Sequence, residues 1–413
     1  MFSKEDGGKM RDCKKSDTKN HRPNLMGKPV VARSVTKCAS LDEVFEHSLP
    51  AFGGALLRRF YLILKEVILR KIPLVITVAG PITVSDQHRA WLIPLLKSGC
   101  VAYITVTDAI VYHDAHDCLG EFAERPIREV DLWGDDAEYR KQGIIRVTDT
   151  GFPEKILFDQ DRMVTAILRR PEFQRSMTTT ERNHLFGRYY AAQERKTRSR
   201  PGLISTCYRL GIPVFVGAPA DGSVFLNSVK LWAMSQSGGE KHGFQYDLQA
   251  DVFEACAYHY WGLFESEAKA LAVLILGGGV PKNYSLQPEP TLSQILLLDG
   301  IRGYDFDVQI VSSPVTDGSL SSCFPAEAVS WGKVNPETFH NSTESLQADY
   351  SMIMPFVVRA LYEASLLKRQ TQLRLYNRKS ELVKKLMNLV WSNRKKLEKT
   401  LNYPLALVAR AKQ

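Results

Sequence analysis

The stretch LAVLILGGG, residues 271–279, joins an apolar run of strand length to three consecutive glycines. A run that is apolar at every position is typical of a strand buried on both faces of a parallel sheet. Segments with helical periodicity separate it from four similar runs, which are 74–79 (LVITVA), 101–106 (VAYITV), 213–217 (PVFVG) and 306–312 (FDVQIVS). The sequence therefore predicts an α/β fold: a single doubly wound, mostly parallel sheet of Rossmann-like type, with helices on both faces.

Small residues follow three of the predicted strands, at the sheet edge where ligands bind in such folds. One loop is the glycine run Gly277–Gly279, and the other two contain Asp-Gly-Ser, at Asp221 and Asp317. Glycine amides can face a pyrophosphate and aspartates can accept hydrogen bonds from ribose, although Asp-Gly-Ser also forms ordinary turns. The usual dinucleotide and P-loop fingerprints are absent, so a dinucleotide would bind without the common glycine loop.

The composition is that of a globular protein, with 413 residues, 44% hydrophobic residues and a net charge of +9. These values exclude a wholly disordered, collagen-like or coiled-coil chain. No apolar run reaches the roughly 18 residues of a membrane span, and the polar amino terminus does not have the pattern of a signal peptide. The seven scattered cysteines contain no C-x-x-C pair, which favours reduced thiols and a cytoplasmic location.

The positive charge is concentrated at the two ends of the chain. We predict a basic flexible arm over residues 1–45, a catalytic domain over 46–362 and a basic helical extension over 363–413. The apolar residues of 380–401 recur at helical spacing, which favours packing on the domain or on a neighbouring subunit. Contact of the basic face with nucleic acid or an anionic surface is the alternative. The middle of the chain is mildly acidic, which suits a cationic ligand and gives no reason to expect nucleic acid.

The segment PAEAVSWGKV, residues 325–334, places Glu327, Trp331 and Lys333 close together. A lysine in an aromatic, desolvated setting loses its proton more easily and can form a Schiff base. An indole face and a carboxylate also suit a polyamine, through cation–π contact and charge pairing. A lysine beside a tryptophan is, however, often a surface residue whose stem packs on the ring.

Several motifs in series resemble the deoxyhypusine synthase family. AEAVSWGKV is similar to the catalytic-lysine motif of that family, and GIPVFVGAPADGS and LILGGGVPKNY resemble two of its other segments in the same order. The resemblance covers roughly residues 75–356. The runs 112–116 (YHDAH) and 171–177 (PEFQRSM) look closer to the bacterial deoxyhypusine synthase-like branch, which is related to homospermidine synthase.

The resemblance implies an NAD-binding α/β domain that forms a homotetramer, with active sites at dimer interfaces. It implies NAD-dependent aminobutyl transfer from a small polyamine such as spermidine: a carbon beside an amine is oxidised, a lysine captures the aminobutyl group as an imine, and an acceptor amine displaces the lysine. Neither a membrane nor a metal is implied. The resemblance alone does not decide whether the acceptor is a small amine, giving homospermidine, or a protein lysine.

The resemblance also implies roles for individual residues. Lys333 would be the nucleophile that forms the imine. The substrate contacts would be Trp331, Glu327, His113, Asn283, Gly318 and Ser321. The NAD contacts would be Asp221, Gly277, Gly278, Gly279, Ser312, Ser313, Asp317 and Asp349.

The chain departs from the eukaryotic pattern at several polar positions. A pocket glutamate is replaced by His113, and two pocket aspartates are replaced by Leu226 and Leu320. A pocket histidine becomes Asn283, and the asparagine of the first NAD loop falls near Ile82. Each lost carboxylate removes a charge-assisted contact worth about 1.5–3 kcal/mol. These changes indicate a different substrate with the lysine chemistry retained.

His113 and His116 stand three positions apart and could lie on one helix face as metal ligands. No second His/Cys cluster completes such a site, so an amine-facing histidine and an ordinary helix-start histidine are the other two interpretations. Three functions therefore remain open: an aminobutyl transferase on small polyamines, a true deoxyhypusine synthase that modifies a translation-factor lysine, and a non-catalytic NAD- or polyamine-binding homologue.

Overall fold

The computed structural model describes residues 27–119, 126–367 and 371–401. The strands of this part of the chain are β1 (Leu74–Val78), β2 (Val101–Val106), β3 (Arg128–Glu129), β4 (Ile144–Val147), β5 (Thr150–Pro153), β6 (Ser176–Met177), β7 (Val214–Val216), β8 (Gln245–Tyr246), β9 (Ala272–Leu276), β10 (Phe306–Val311) and β11 (Thr343–Gln347).

Six of these strands form the central sheet, in the order β11-β10-β9-β1-β2-β7. Every neighbouring pair in the sheet is parallel. The five strands predicted from apolar runs are all present, and each of them is buried along its whole length. The α/β fold with a mostly parallel sheet is therefore confirmed.

The helices of the described residues are α1 (Leu41–His47), α2 (Phe52–Leu69), α3 (Ile93–Leu96), α4 (Asp108–His113), α5 (Asp136–Lys141), α6 (Lys155–Leu168), α7 (Thr179–Thr197), α8 (Leu203–Leu210), α9 (Ser223–Gln236), α10 (Leu248–Phe264), α11 (Gly279–Leu286), α12 (Pro288–Pro290), α13 (Pro325–Ser330), α14 (Phe339–Ser342), α15 (Tyr350–Glu363), α16 (Leu375–Ser392) and α17 (Arg394–Thr400). They cover both faces of the sheet. On β1, for example, Leu74 and Ile76 face the apolar core that contains α2 side chains, whereas Val75 faces the core that contains α10 side chains.

The segment of helical periodicity between the predicted strands 74–79 and 101–106 forms a helix that is only partly regular. The chain forms a wide π-type turn over His88–Leu92, and the α-helical part is α3, Ile93–Leu96. Pro94 lacks an amide hydrogen, so it cannot complete the hydrogen bonds of a regular α-helix at this point.

The buried ion pair of Asp108 with Arg182 holds three helices in place around one end of the sheet. The guanidinium of Arg182, on α7, lies 2.6 Å from the carboxylate of Asp108 at the start of α4, and both side chains are fully buried. The second oxygen of Asp108 accepts a hydrogen bond from the amide of Val224 at the start of α9, at 3.2 Å. A buried pair loses hydration, but removing one partner would leave an uncompensated charge. The pair therefore fixes α4 and α9 relative to each other.

The carboxyl-terminal helix α16 packs on α10. Its residues Leu382 and Leu386 are buried in the same apolar core as Trp261. Lys379 of α16 places its ammonium 2.7 Å from the carboxylate of Glu254 on α10. The apolar side of the helix is therefore covered by the domain, and its other side carries the exposed basic residues.

At the amino end, residues 1–26 of the predicted arm lie outside the described residues. Helix α1 covers the last residues of that arm, and the Ser40 hydroxyl accepts a hydrogen bond from the amide of Glu43 at its first turn. In the described part of the chain, no helix combines the length and the apolar character that crossing a bilayer requires.

Candidate active site

The first cavity lies at the carboxyl ends of β1, β9, β10 and β11 and has a volume of about 410 Å³. We call it the sheet-end cavity. Three of the residues predicted to contact NAD line it, namely Gly277, Ser312 and Asp349. Gly277 has a φ of +74°, and a Cβ there would lie 3.4 Å from the ring of Tyr350. A glycine at this position keeps the floor of the cavity open for a ligand.

Asp349 is held at the wall of the sheet-end cavity by the helix that it begins. Its carboxylate accepts a hydrogen bond from the amide of Ser351 at 2.8 Å, which caps α15. Next to it, the Tyr350 hydroxyl donates a hydrogen bond to the carbonyl of Ala79 at 2.8 Å. A fixed carboxylate beside small residues at strand ends can accept hydrogen bonds from ribose hydroxyls.

The other residues predicted to contact NAD are distributed differently. Gly278 and Gly279 lie at the start of α11, where a Cβ on Gly279 would lie 3.3 Å from the Ser321 hydroxyl. Asp317 faces the second cavity, described next, and hydrogen bonds from Ser319 lower its pKa. Ser313 lies in the same loop, and Asp221 is exposed after β7; neither is among the residues that line the sheet-end cavity.

The second cavity contains Lys333 and has a volume of about 400 Å³. We call it the lysine cavity. The structure brings Lys333 together there with Trp331 and Glu327, and with Gly318 from the loop after β10. The Lys333 ammonium lies 5.7 Å from the centre of the Trp331 ring, within cation–π range. Trp331 is 63% exposed, so the cavity opens at the surface.

Besides His113, which is described below, two of the predicted substrate contacts do not line the lysine cavity. Ser321 is half buried, and its carbonyl lies 3.5 Å from the ammonium of Lys282. Asn283 is half buried on α11.

The backbone around Lys333 is tightly constrained. The Lys333 amide donates to the Ala328 carbonyl, and the Tyr304 amide donates to the Lys333 carbonyl, both at 3.0 Å. Gly303 packs directly on this segment, where a Cβ would lie 2.0 Å from the Lys333 carbonyl carbon. Gly332 has a φ of +77°, which favours glycine. The Trp-Gly-Lys sequence therefore fixes the direction in which Lys333 leaves the backbone.

Sequence analysis missed the charged groups that lie behind the lysine cavity. Glu289 is buried beside Gly332, and burial raises its pKa although the charge of Lys333 opposes that shift. Lys282 is buried, donates to the Gln309 side chain at 2.8 Å and to the Cys323 carbonyl at 2.6 Å, and has a pKa lowered by burial. Asp307, whose charge acts on Lys282, has a pKa raised by burial to about 7. In the sequence, these charged groups were indicated only by the polar residues at positions 307 and 309 of an otherwise apolar strand.

The third cavity contains His113 and has a volume of about 460 Å³. We call it the histidine cavity. Leu226 also lines it, so two positions at which the chain departs from the eukaryotic pattern meet here. Burial lowers the pKa of His113 to about 4, so the ring is neutral near pH 7. Within one chain, the structure does not bring His113 to the lysine cavity.

His113 and His116 do lie together, with Nδ1 of the first 3.1 Å from Nε2 of the second. Over the described residues, no group of three or more His, Cys, Asp and Glu side chains is arranged to hold a metal ion.

Val147, at the end of β4, lines both the histidine cavity and the sheet-end cavity. The small sheet of β3, β5 and β4 therefore separates these two cavities.

Comparison with known proteins gives consistent results. The family model described as deoxyhypusine synthase matches residues 42–361. A deoxyhypusine synthase-like protein of Nostoc sp. is 32% identical over 365 residues, covering 87% of this chain and 91% of its own. A deoxyhypusine synthase-like protein of Cyanothece sp. is 31% identical over 358 residues and covers 85% of both chains.

More distant similarity extends to archaea and to a solved structure. The "Probable deoxyhypusine synthase 2" of Methanosarcina acetivorans is 26% identical over 269 residues, which are 65% of this chain and 71% of its own. A crystal structure from Entamoeba histolytica, described as that of a deoxyhypusine synthase, has a TM-score of 0.50 at 13% identity and covers 82% of this chain and 98% of its own. At this identity the likeness concerns the fold.

Proposed function

Because this chain belongs to the deoxyhypusine synthase family, we propose that it is an NAD-dependent transferase that moves an aminobutyl group from a polyamine through an imine on Lys333. The observation that carries the proposal is the lysine cavity, in which Lys333, Trp331 and Glu327 share one cleft. A lysine that merely packed its stem on a surface tryptophan would need no such cleft.

The sheet-end cavity is the proposed site of NAD. Its position at the carboxyl ends of four parallel strands is where dinucleotides bind in α/β sheets. Gly277 leaves space that a Cβ would fill, and Asp349 offers carboxylate oxygens to ribose hydroxyls. When bound, NAD would supply the hydride acceptor for oxidation of the carbon beside the amine and would return that hydride to the product imine.

The residues of the lysine cavity would perform the transfer itself. The amine of Lys333 attacks the oxidised carbon, and the diamine fragment leaves as the protein imine forms. The Trp331 ring faces the cationic chain of the polyamine, and the Glu327 carboxylate pairs with an ammonium group. An acceptor amine then adds to the imine carbon and releases Lys333.

The loop after β10 connects the two proposed sites. Ser312, at its start, lines the sheet-end cavity, whereas Asp317 and Gly318, five and six residues later, line the lysine cavity. A polyamine held by Trp331 and Glu327 would therefore lie along the same loop as the dinucleotide. Such an arrangement favours direct exchange of a hydride without release of the oxidised amine to water.

Two candidate acceptors follow from the site. A small diamine would give a homospermidine-type product. The second candidate is a protein lysine, as true deoxyhypusine synthesis on a translation factor would require.

The test is to incubate the pure protein with NAD and either spermidine or putrescine, reduce with borohydride, and map the adduct by mass spectrometry. We expect an aminobutyl adduct on Lys333, absent from Lys333→Arg because a guanidinium stays protonated and forms no imine. Lys384→Arg, on an exposed position of α16, is the matched control and should form the adduct normally. Binding of NAD with no adduct from any di- or triamine would support the non-catalytic alternative and contradict the proposal.

A further inference from the structure

The histidine cavity contains a carboxylate that no motif predicted. Asp161 lies on α6, far in sequence from the motifs of the site, and it lines the cavity together with Tyr112 and Asn227. Its Oδ1 accepts two hydrogen bonds, from the Tyr112 hydroxyl at 2.8 Å and from the Asn227 amide nitrogen at 2.7 Å. No hydrogen bond from the described residues reaches its Oδ2. One carboxylate oxygen is thus fixed by the protein, and the other can accept from a ligand.

The partners of Asp161 are themselves held in a single orientation. The Asn227 side-chain oxygen accepts from the Thr165 hydroxyl at 3.0 Å and from the Lys230 ammonium at 3.1 Å, so its amide group must turn toward Asp161. Burial and the neighbouring carboxylate raise the pKa of Tyr112, whose hydroxyl therefore keeps its proton and donates. Asp161 is consequently preorganised before any ligand arrives.

The rest of the cavity wall is largely apolar or uncharged. Phe152, Leu157 and Leu226 contribute apolar surface, and His113 is neutral near pH 7 because burial lowers its pKa to about 4. A fixed carboxylate within an apolar wall fits an ammonium group at the end of an aliphatic chain, since the chain is removed from water and the charge is paired. Lys230 also lines the cavity, and its ammonium is occupied by the hydrogen bond to the Asn227 side-chain oxygen at 3.1 Å.

We propose that the histidine cavity binds a linear aliphatic amine and that Asp161 holds the terminal ammonium of that amine. The inference rests on the proposed function for its substrate class and adds the residue that recognises the substrate. Two acidic pocket positions of the eukaryotic pattern are occupied here by His113 and Leu226, and both line this cavity. Asp161 supplies from α6 the negative charge that those two positions do not.

The direct test is calorimetric titration of the whole chain with putrescine, without NAD so that turnover contributes no heat. We expect Asp161→Asn, which keeps the size of the side chain but loses its charge, to weaken binding about tenfold or more. Asp159→Asn is the matched control, two residues away on the same helix, where the carboxylate pairs with Arg162 at 3.1 Å and does not line the cavity. It should bind putrescine as the wild type does.

A second pair of variants keeps the inference testable if Asp161→Asn proves unstable. Leu226 is 61% exposed at the cavity wall, so it tolerates substitution. Leu226→Lys should weaken putrescine binding by charge repulsion, and Leu226→Asp in the Asp161→Asn background should restore it. Butylamine should bind by the same Asp161-dependent contact.

The results of the adduct and binding experiments distinguish a failure of the Asp161 inference from a failure of the proposed transfer. Lys384→Arg, on an exposed position of α16, should bind putrescine and form the adduct as the wild type does. If the wild type forms the Lys333 adduct while Asp161→Asn binds amines as tightly as the wild type, the transfer stands and the Asp161 inference is overturned. If no adduct forms but binding depends on Asp161, the amine site stands without the transfer. A wild type that binds none of these amines overturns the inference.

Discussion

At the residue scale, the position of Lys333 depends on two glycines that pack around it. Their contacts leave no room for a side chain on either one. Gly303 touches the Lys333 carbonyl, and Gly332 adopts a left-handed φ beside the Glu289 carboxylate. A reactive amine must be held within a fraction of an ångström of its productive position. Because they have no side chain, Gly303 lets the Lys333 carbonyl approach closely and Gly332 lets the Glu289 carboxylate do so.

We expect Gly303→Ala to displace the Lys333 segment, because the new Cβ would lie 2.0 Å from a backbone carbon that cannot move aside freely. The borohydride-trapped adduct should fall strongly, and the melting temperature should also fall. Gly53→Ala is the control: nothing lies within 4 Å of its Cβ, and it lies in helix α2. That substitution should leave the adduct unchanged and stabilise the helix by about 0.5–1 kcal/mol. An unchanged adduct in Gly303→Ala would show that this contact does not position Lys333.

Asp307 gives a prediction about pH. Burial raises its pKa from 3.8 to about 7, so in this window the folded protein keeps a proton that the unfolded chain has released. The free energy of unfolding should therefore decrease as pH rises from about 4 to about 7, by about 3–4 kcal/mol for this group. Asp307→Asn should lose this decrease in the free energy of unfolding, which urea titrations at several pH values would measure.

The exposed Asp317 provides the comparison for that experiment. Asp317→Asn should leave the raised-pKa component of the pH profile in place, because the Asp317 pKa is lowered and not raised. Parallel pH profiles for the wild type and Asp307→Asn would contradict the assignment to Asp307.

At the scale of elements, sequence patterns were sufficient where a strand or helix is buried in a regular way. The five apolar strands were predicted because every position of each one faces a core. Strand β11, Thr343–Gln347, was missed because TESLQ is mostly polar and lies at the sheet edge, with β10 as its neighbour in the sheet. An edge strand is specified by its hydrogen bonds to a neighbour, and these bonds leave little trace in composition.

The same reasoning explains which site residues could be found. Lys333, Trp331 and Glu327 are close in sequence, so a local motif predicted their common cavity. Asp161 reaches the histidine cavity from α6 by tertiary packing, and neither its spacing nor its neighbours indicate a ligand. The motif residue His113 was expected beside the same polyamine as Lys333, and one chain keeps the two in separate cavities.

The docking of α16 is testable by truncating a side chain of its buried face. Leu382 is almost fully buried against α10, so Leu382→Ala should lower the free energy of unfolding by about 2–5 kcal/mol. Met387 lies on the same helix but is 51% exposed, and Met387→Ala should stay within about 0.5 kcal/mol of the wild type. Denaturant titration measures both. Equal effects would mean that α16 does not pack in solution as it does here.

At the scale of the whole molecule, the separation of the histidine and lysine cavities bears on assembly. We propose a homotetramer in which the lysine cavity of one subunit meets the histidine cavity of another. Trp331 and Val315 are exposed apolar side chains at the lysine cavity, as Leu226 is at the histidine cavity, and apolar surface of this kind is typical of an interface. Sedimentation analysis would give the subunit number.

Subunit mixing tests whether the site is shared. Lys333→Arg and Asp161→Asn subunits are each expected to be impaired, but in mixed oligomers one site in about four would combine an intact lysine cavity with an intact histidine cavity. Co-expressed subunits, purified through two different tags, should therefore recover about a quarter of the wild-type transfer activity. Recovery no greater than that of the separate variants would place the complete site within one chain.

The strand order also has a consequence for synthesis on the ribosome. Strand β1 pairs with β2 on one side, but its other neighbour, β9, begins almost two hundred residues later, at Ala272. A nascent chain that stops before that point carries an unpaired edge on a strand that is apolar except at Thr77, and such an edge is a template for aggregation. We therefore expect the growing polypeptide to need protection by a holding chaperone until most of its length has emerged.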